Sequence, residues 1–226
     1  MAADPDPAYP MVSGGARSGF SILSPVFSVL SRAAFVAAAV LLPSSFAQAA
    51  SASAGGLDAA VLSELNYVRA HPAEYARELR DAPSWAMEQE EPQAVDEAID
   101  ALERQAPLPP LRDDRRLDAA ALVHVRTQGP RGDVGHGPTG NLGQRLRDNG
   151  VYAGMSAENI SYGYDDARQV VRQLIIDSRV NGRGHRRNIL STAYSSVGVS
   201  CGPHRQWGEM CVMDFAGALM ERGKAE

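Results

Sequence analysis

The apolar positions repeat with one period through most of the chain and with another near its end. Leu57, Val61, Leu62, Leu65 and Val68 recur at helical spacing, predicting an amphipathic helix. Ala50 to Gly56 reads as its frayed start. Pro72 ends or restarts that helix, because proline pushes the preceding residue out of helical geometry. Pro72 to Arg80 then reads as a second short helical turn. Val95, Ala98, Ile99 and Leu102 make a weakly amphipathic helix inside an acidic segment, Asp81 to Pro107, punctuated by Pro83, Pro92 and Pro107. The segment reads as an insertion or lid. Leu108 to Leu111 is an extended entry into a helix from Asp113 to about Thr127, which buries Leu117, Ala120 and Ala121 and continues its stripe to His124. Gly129 to Gly140 is a loop dense in glycine and proline. Asn141 to Asn149 is a short helix stopped by Gly150, the usual place for a left-handed cap. Glu158 to Tyr162 reads as a short strand.

Ala167, Val170, Val171, Leu174 and Ile175 define the next helix, opened by Asp166 with Gln169 three positions on as a capping box. Beyond it the period drops to two. Val197, Val199 and Cys201 go out, and Cys211, Met213 and Phe215 come back, with Gly202-Pro203 and Gly208 as turn signals. Ser195–Cys201 and Glu209–Phe215 thus predict an antiparallel hairpin. Helices come first and the hairpin last, an α+β arrangement in which helices cover a small antiparallel sheet.

The first fifty residues differ in kind. Ala33 to Leu42 is an apolar run of about ten residues, too short to cross a bilayer core of roughly 30 Å. Arg17 and Arg32 precede it, and Ala47-Gln48-Ala49 supplies a small-x-small cleavage pattern. That order predicts a secretory signal and leader over residues 1–50, with an uncleaved anchor as the alternative. Residues 51–226 then form one exported domain, periplasmic or extracellular, of single-domain size and without a second membrane-length apolar run. The net charge of −5 excludes the basic face that nucleic-acid binding needs. Cys201 and Cys211 are an even pair at short separation. In an exported chain they read as a disulfide at the neck of the hairpin, with a catalytic cysteine as the weaker reading.

His136, Glu158, Asp177 and His185 are the candidate chemistry, each beside glycine, small or polar residues. Two histidines and two carboxylates are the raw material for a metal site or for acid–base work. No local ligand motif, nucleophile elbow or P-loop accompanies them. Asp177 prolongs the inward stripe of Val170 and Leu174. In a last helical turn a carboxylate opposes the helix dipole, so it calls for a partner; a frayed, solvated helix end is the alternative. His124, on an apolar stripe, reads as a satisfied core residue more readily than as a ligand. Asn66 and Arg69 share a helix face, either as a solvated edge or as the dock for the following loop. Arg179, Arg183, Arg186 and Arg187 read as solvated charges or as neutralising Glu158 and Asp177; binding an anion is the alternative.

The ordered set of His136, Arg145, Gly150, AENISYG at 157–163, Val170-Val171, GHRRNIL at 184–190, Tyr194 and VGV at 197–199 resembles the bacterial branch of the CAP superfamily. These are the cysteine-rich secretory, antigen-five and pathogenesis-related proteins, or SCP-like extracellular proteins. LNYVRAHP at 65–72 resembles that family's opening, so the likeness runs over roughly 57–217. It implies a three-layer α-β-α sandwich and a cleft lined by His136, Glu158, Asp177 and His185. It also implies that His136 and His185 can hold zinc or another divalent cation. Two departures stand out. Ala157 replaces the usual glycine before Glu158. Leu174 and Asp177 stand where the family has tryptophan and glutamate, and the shorter Asp177 has less reach.

A fold does not fix an activity. The reading that follows is a non-enzymatic exported domain taking a small hydrophobic or lipid ligand in that cleft. One alternative is a metal-dependent envelope hydrolase with Glu158 as base. Another is a structural or partner-binding protein using residues 81–107, its protein partner unnamed.

Overall fold

The structure, a computed structural model, describes residues 46–137 and 142–220, with side chains described from residue 56 on. Residues 1–45 of the leader expected over residues 1–50 lie outside the described residues. Among these, no helix is long and apolar enough to cross a membrane. Seven helices and four strands follow in chain order: α1 (Phe46–Ala70), α2 (Pro72–Arg80), α3 (Pro92–Arg104), β1 (Arg112–Asp113), α4 (Arg115–Gln128), α5 (Leu142–Asp148), β2 (Ser156–Tyr162), α6 (Ala167–Ile176), α7 (Gly184–Ile189), β3 (Ser196–His204) and β4 (Gly208–Ala216). The backbone of α1 runs back to Phe46 through an alanine-rich stretch, where the sequence reads as a frayed start; alanine is the best helix former.

The sheet order is β1-β3-β4-β2, antiparallel apart from the short parallel contact of β1 with β3. Alternation along the strands sends successive side chains to opposite faces. Val197, Val199, Cys201, Cys211, Met213 and Phe215 join the core formed with α1, α2, α3, α6 and α7. Ile160, Tyr162, Met210 and Val212 face Ala121 and Val125 of α4, while Ala216 joins Leu117, Ala120 and Leu146. The result is a three-layer α-β-α sandwich. At Gly198 the α4 layer comes so close that an added Cβ would collide with the backbone of Leu117 and Asp118. Glycine is required there by the approach of the helix, at an ordinary φ.

The hairpin forms as the period-two pattern predicts. Cys201 and Cys211 stand directly opposite one another with Cα atoms 4.0 Å apart, and they are bonded. Pro72 does restart the chain as α2. Asp166 caps α6 by accepting from Gln169 N at 3.0 Å, and Gly150, at φ 76°, follows α5. Asn66 and Arg69 prove to be docking residues. Asn66 exchanges two hydrogen bonds with the Leu111 backbone, at 3.1 and 2.7 Å. Arg69, 2% exposed, donates to the carbonyls of Pro109, Ile189 and Ser191.

Residues 81–107, expected as an insertion or lid, contain a helix packed into the core. Ala94, Ala98, Ile99 and Leu102 of α3 are buried in the main core, so this acidic segment turns one apolar face inward and solvates the other. Of the four arginines read as solvated or neutralising, Arg179 and Arg187 are exposed as expected, and the expectation is corrected for Arg183 and Arg186. Arg186 is 6% exposed and donates to Ile175 O, Ile176 O, Ala94 O and Glu97 O. It satisfies main-chain carbonyls at the end of α6, where a cation is favoured. Arg183 bonds Glu97 at 2.7 Å and Asp177 O at 2.9 Å, which ties α3 to the α6–α7 connection.

Candidate functional site

The site is built on the edge strand β2, and the dipeptide Glu158-Asn159 divides it. Adjacent residues of a strand point to opposite faces. Glu158 lies opposite Asp214 and shares its face, toward α4 and α5; Asn159 lies opposite Met213 and faces α6 and α7. The four expected residues accordingly resolve into two pairs, His136 with Glu158 and His185 with Asp177.

On the α4–α5 side, His136 Nδ1–H donates to Glu158 Oε1 at 2.8 Å. The His136 side chain is 42% exposed and that of Glu158 only 2%. The second oxygen of Glu158 accepts from Arg145 Nη2. The same Nη2 reaches Asp214 Oδ1 at 3.0 Å, and Nη1 donates to His124 Nδ1 at 3.0 Å. Because arginine can only donate, His124 Nδ1 is the acceptor and its Nε2–H points to Gly135 O, 3.3 Å away. His124 is fully buried and bonded at both nitrogens, the core role its stripe predicts. Arg145 Nε is buried without a hydrogen-bond partner among the described residues.

One guanidinium thus sits between two buried carboxylates that cannot both ionise cheaply. Burial raises both, and it raises Asp214 well above the usual carboxylate range, with the neighbouring Glu158 charge pushing further. For Glu158 the effect of burial is outweighed by the His136 hydrogen bond and the Arg145 charge, which hold it below its ordinary value. Glu158 is thus the stronger acid of the pair and Asp214 the weaker. Burial also lowers His124, and the Arg145 charge adds to that against the pull of Glu158.

The loop carrying His136 is fixed from beneath. Gly135, at φ 84°, donates N–H to Tyr162 Oη at 2.9 Å; Tyr162 in turn donates to Gln128 Oε1 at 2.7 Å. Gln128 Nε2 returns to Gly135 O at 2.7 Å. From the hairpin tip, His204 Nε2–H donates to Asp133 O at 2.8 Å and Arg205 N to Gly129 O at 2.9 Å. Residues 138–141, just past His136, lie outside the described residues.

On the other face, His185 Nδ1–H donates to Asp177 Oδ1 at 2.7 Å, and Asp177 Oδ2 accepts from His185 N at 2.8 Å and Arg186 N at 3.3 Å. His185 Nε2 has no hydrogen-bond partner among the described residues. Asp177 is 2% and His185 7% exposed. The expectation that Asp177 closes α6 against its dipole is corrected. Asp177 follows the helix in the left-handed region at φ 60°, which swings its carboxylate to the first amides of α7. There the dipole favours it. Arg179 and Arg183 share that backbone conformation at φ 62° and 52°. Left-handed geometry in residues other than glycine costs on the order of 1 kcal/mol or more each, and such strain gathers at functional segments.

Main chain and amides link the two halves. Asn159 Nδ2 donates to His185 O at 3.1 Å, and Asn188 Nδ2 donates to Asn159 Oδ1 at 2.8 Å. Arg145, Asp214 and Asn159 are the site residues that reading side chains one by one passes over.

The expected metal ligands are His136 and His185. Both rings give Nδ1–H to a carboxylate, the support that orients a metal-binding histidine. No group of three or more His, Cys, Asp or Glu side chains among the described residues could hold a metal ion. Both carboxylates are also spent on guanidinium, amide or imidazole donors, so these residues do not fit a metal centre built by the chain alone.

The three-layer α-β-α sandwich around a small sheet is the fold expected of an SCP-like extracellular protein. Residues 62–215 match the family model CAP, the cysteine-rich secretory protein family, and the chain belongs to that family. An extracellular protein containing an SCP domain from Bacillus anthracis str. Ames is 24% identical, at a TM-score of 0.42 over 61% of this chain and 44% of that one. An outer surface protein from Borrelia burgdorferi is 17% identical, at a TM-score of 0.41 over 49% of this chain and 79% of that one. A cysteine-rich secretory protein from Staphylococcus aureus subsp. aureus Mu50 is 17% identical, at a TM-score of 0.40 over 56% of this chain and 39% of that one. This chain spans less than half the length of the Bacillus and Staphylococcus chains. No curated protein matches it.

Proposed function

We propose that the chain is an exported, non-enzymatic binding domain whose ligand, small or lipidic, engages the two histidine–carboxylate pairs beside β2. The observation that carries this reading is the state of the carboxylates. Glu158 is saturated by His136 and Arg145 and held below its ordinary pKa. Asp177 is saturated by His185 and the first amides of α7. A carboxylate so engaged is a weak general base, but it presents an oriented imidazole to a polar group of a ligand. Val134, 48% exposed two positions from His136, adds apolar surface beside it. The partners of the His185–Asp177 pair are main-chain amides and one another, and both cysteines are held in the disulfide. The same facts weigh against a hydrolase that uses Glu158 as base.

Export is supported by the disulfide and by the extracellular and outer-surface relatives. Were zinc or another divalent cation to bind, His136 and His185 are the side chains that would hold it. The test is a screen of small amphiphiles and lipid vesicles against the purified domain, read by histidine side-chain NMR, with metal analysis in parallel. Binding is expected to shift the His136 and His185 resonances and to weaken in His136→Ala and His185→Ala. A screen in which no amphiphile moves either resonance overturns the reading. Peptide or ester turnover abolished by chelation and by His185→Ala would establish the hydrolase in its place.

A further inference from the structure

A second surface lies across the sheet from this site and is independent of that reading. β1 covers β3 only at Ser196 and Val197. Beyond that point two β3 amides are met by side chains in place of a strand. Val199 N donates to Asp118 Oδ1 at 2.9 Å, and Cys201 N to Asp58 Oδ1 at 2.7 Å. Above these bonds, between α1 and α4, runs a groove of about 510 Å³. Leu62, Leu122 and Val199 give it apolar lining; Asp58, Asp113 and Asp118 give it charge, against one arginine, Arg115.

Asp58 and Asp118 form no ion pair among the described residues. Burial pushes each up to about 6, and for Asp118 the nearby Asp113 and Asp58 charges add to the rise. The groove thus holds like charges against one another with one oxygen of each half-buried carboxylate fixed to the sheet. Its apolar lining and excess negative charge complement a long aliphatic stem that ends in a cation.

We propose that this groove docks a lysine or arginine side chain from a basic segment of a partner protein. The aliphatic stem packs along Leu62 and Leu122, and the cationic head meets the carboxylates of Asp58, Asp113 and Asp118. Electrostatic complementarity of this kind sets the choice of partner and makes binding salt-sensitive.

The probe is a fluorescein-labelled peptide carrying two arginines among glycine and serine, titrated by anisotropy against the purified protein. A second peptide with the arginines replaced by glutamate is the control. Asp58→Asn/Asp118→Asn keeps both acceptors for the β3 amides and removes the charge. It is expected to weaken the basic peptide about tenfold, the scale of losing close charge pairs. Asp113→Asn, at an exposed position, gives a second reading in a variant whose fold circular dichroism can verify. Equal binding of the two peptides, or unchanged affinity in these variants, overturns the proposal. Free arginine amide binding as tightly as the peptide would assign the groove to small cations instead. Dimers in sedimentation that dissociate in the same variants would assign it to a second copy. Either outcome refutes the partner segment.

Discussion

Replacing Arg145 with methionine tests the charge arrangement beneath His136. Methionine fills much of the same volume and cannot donate. The change leaves Glu158 and Asp214 facing one another with no cation between them, and takes away a hydrogen bond to His124. Breaking a buried pair by removing one partner costs about 3–5 kcal/mol, because the stranded charge stays desolvated. Here the lower end applies, since Asp214 is the weaker acid of the two and takes up a proton more readily than Glu158.

The sign with pH follows from the two shifts. Glu158 is depressed in the folded protein, so its contribution is present above the unfolded carboxylate value and lost as pH falls through the folded one. Asp214 is raised, so its protonated form favours folding and stability drains as pH rises through its folded value. Without Arg145 both groups are raised, and the variant is penalised more at pH 8 than at pH 5. Urea unfolding at both values should show a loss of about 3 kcal/mol at the higher pH and clearly less at the lower. In a thermal melt the loss at the higher pH corresponds to about 6–12 °C for a domain of this size. A loss below about 1 kcal/mol at pH 8, or the same loss at both pH values, would refute the reasoning.

Three further outcomes follow from the same structure. Gly198→Ala drives a methyl group into the backbone of Leu117 and Asp118; it should cost at least about 1–3 kcal/mol, the range for overpacking, and unchanged urea unfolding would show that α4 can move away. Asp177→Ala removes the acceptor of His185 Nδ1–H and of two α7 amides. It should destabilise by about 1–3 kcal/mol and leave the His185 ring averaging between orientations in NMR, whereas a sharp, unshifted His185 signal would deny the pairing. Asp58 and Asp118 are raised to about 6, so protonation favours the fold. Stability should rise modestly as pH falls from about 7 to 5, by less than about 1 kcal/mol each once solvent screening is allowed for, and the rise should be smaller in Asp58→Asn/Asp118→Asn.

The hairpin and the sheet-covering helices were legible because their signal is periodic and local: Val199, Cys201, Cys211 and Met213 alternate, and Val170, Val171 and Leu174 keep helical spacing. Asp177 was legible as a residue in need of a partner, but not as the cap of α7, because one left-handed residue redirects a side chain and leaves no mark on periodicity. Asp214 offered a readable sign, a carboxylate among the buried alternate residues Met210, Val212 and Ala216 of β4. Arg145 is separated from Glu158 by 13 positions and from Asp214 by 69, and pairings at such distances depend on the three-dimensional path of the chain. In residues 81–107 the helical stripe through Ala98, Ile99 and Leu102 was legible, but the conspicuous charge around it hid that this face packs into the main core.

The division of labour between Glu158 and Asn159 carries a consequence for how this chain can change length. Strand β2 is hydrogen-bonded on one side only, to β4, and its seven residues are odd and even teeth of one comb. Loss or gain of a single residue before Ser156 that slid β2 against β4 would exchange the teeth. Glu158 would turn toward α6 and α7, and Asn159 toward Arg145, so both half-sites would fail at one stroke with the composition nearly untouched. Loop lengths ahead of this strand can drift only where the added residue is absorbed as a bulge, or where changes come in twos.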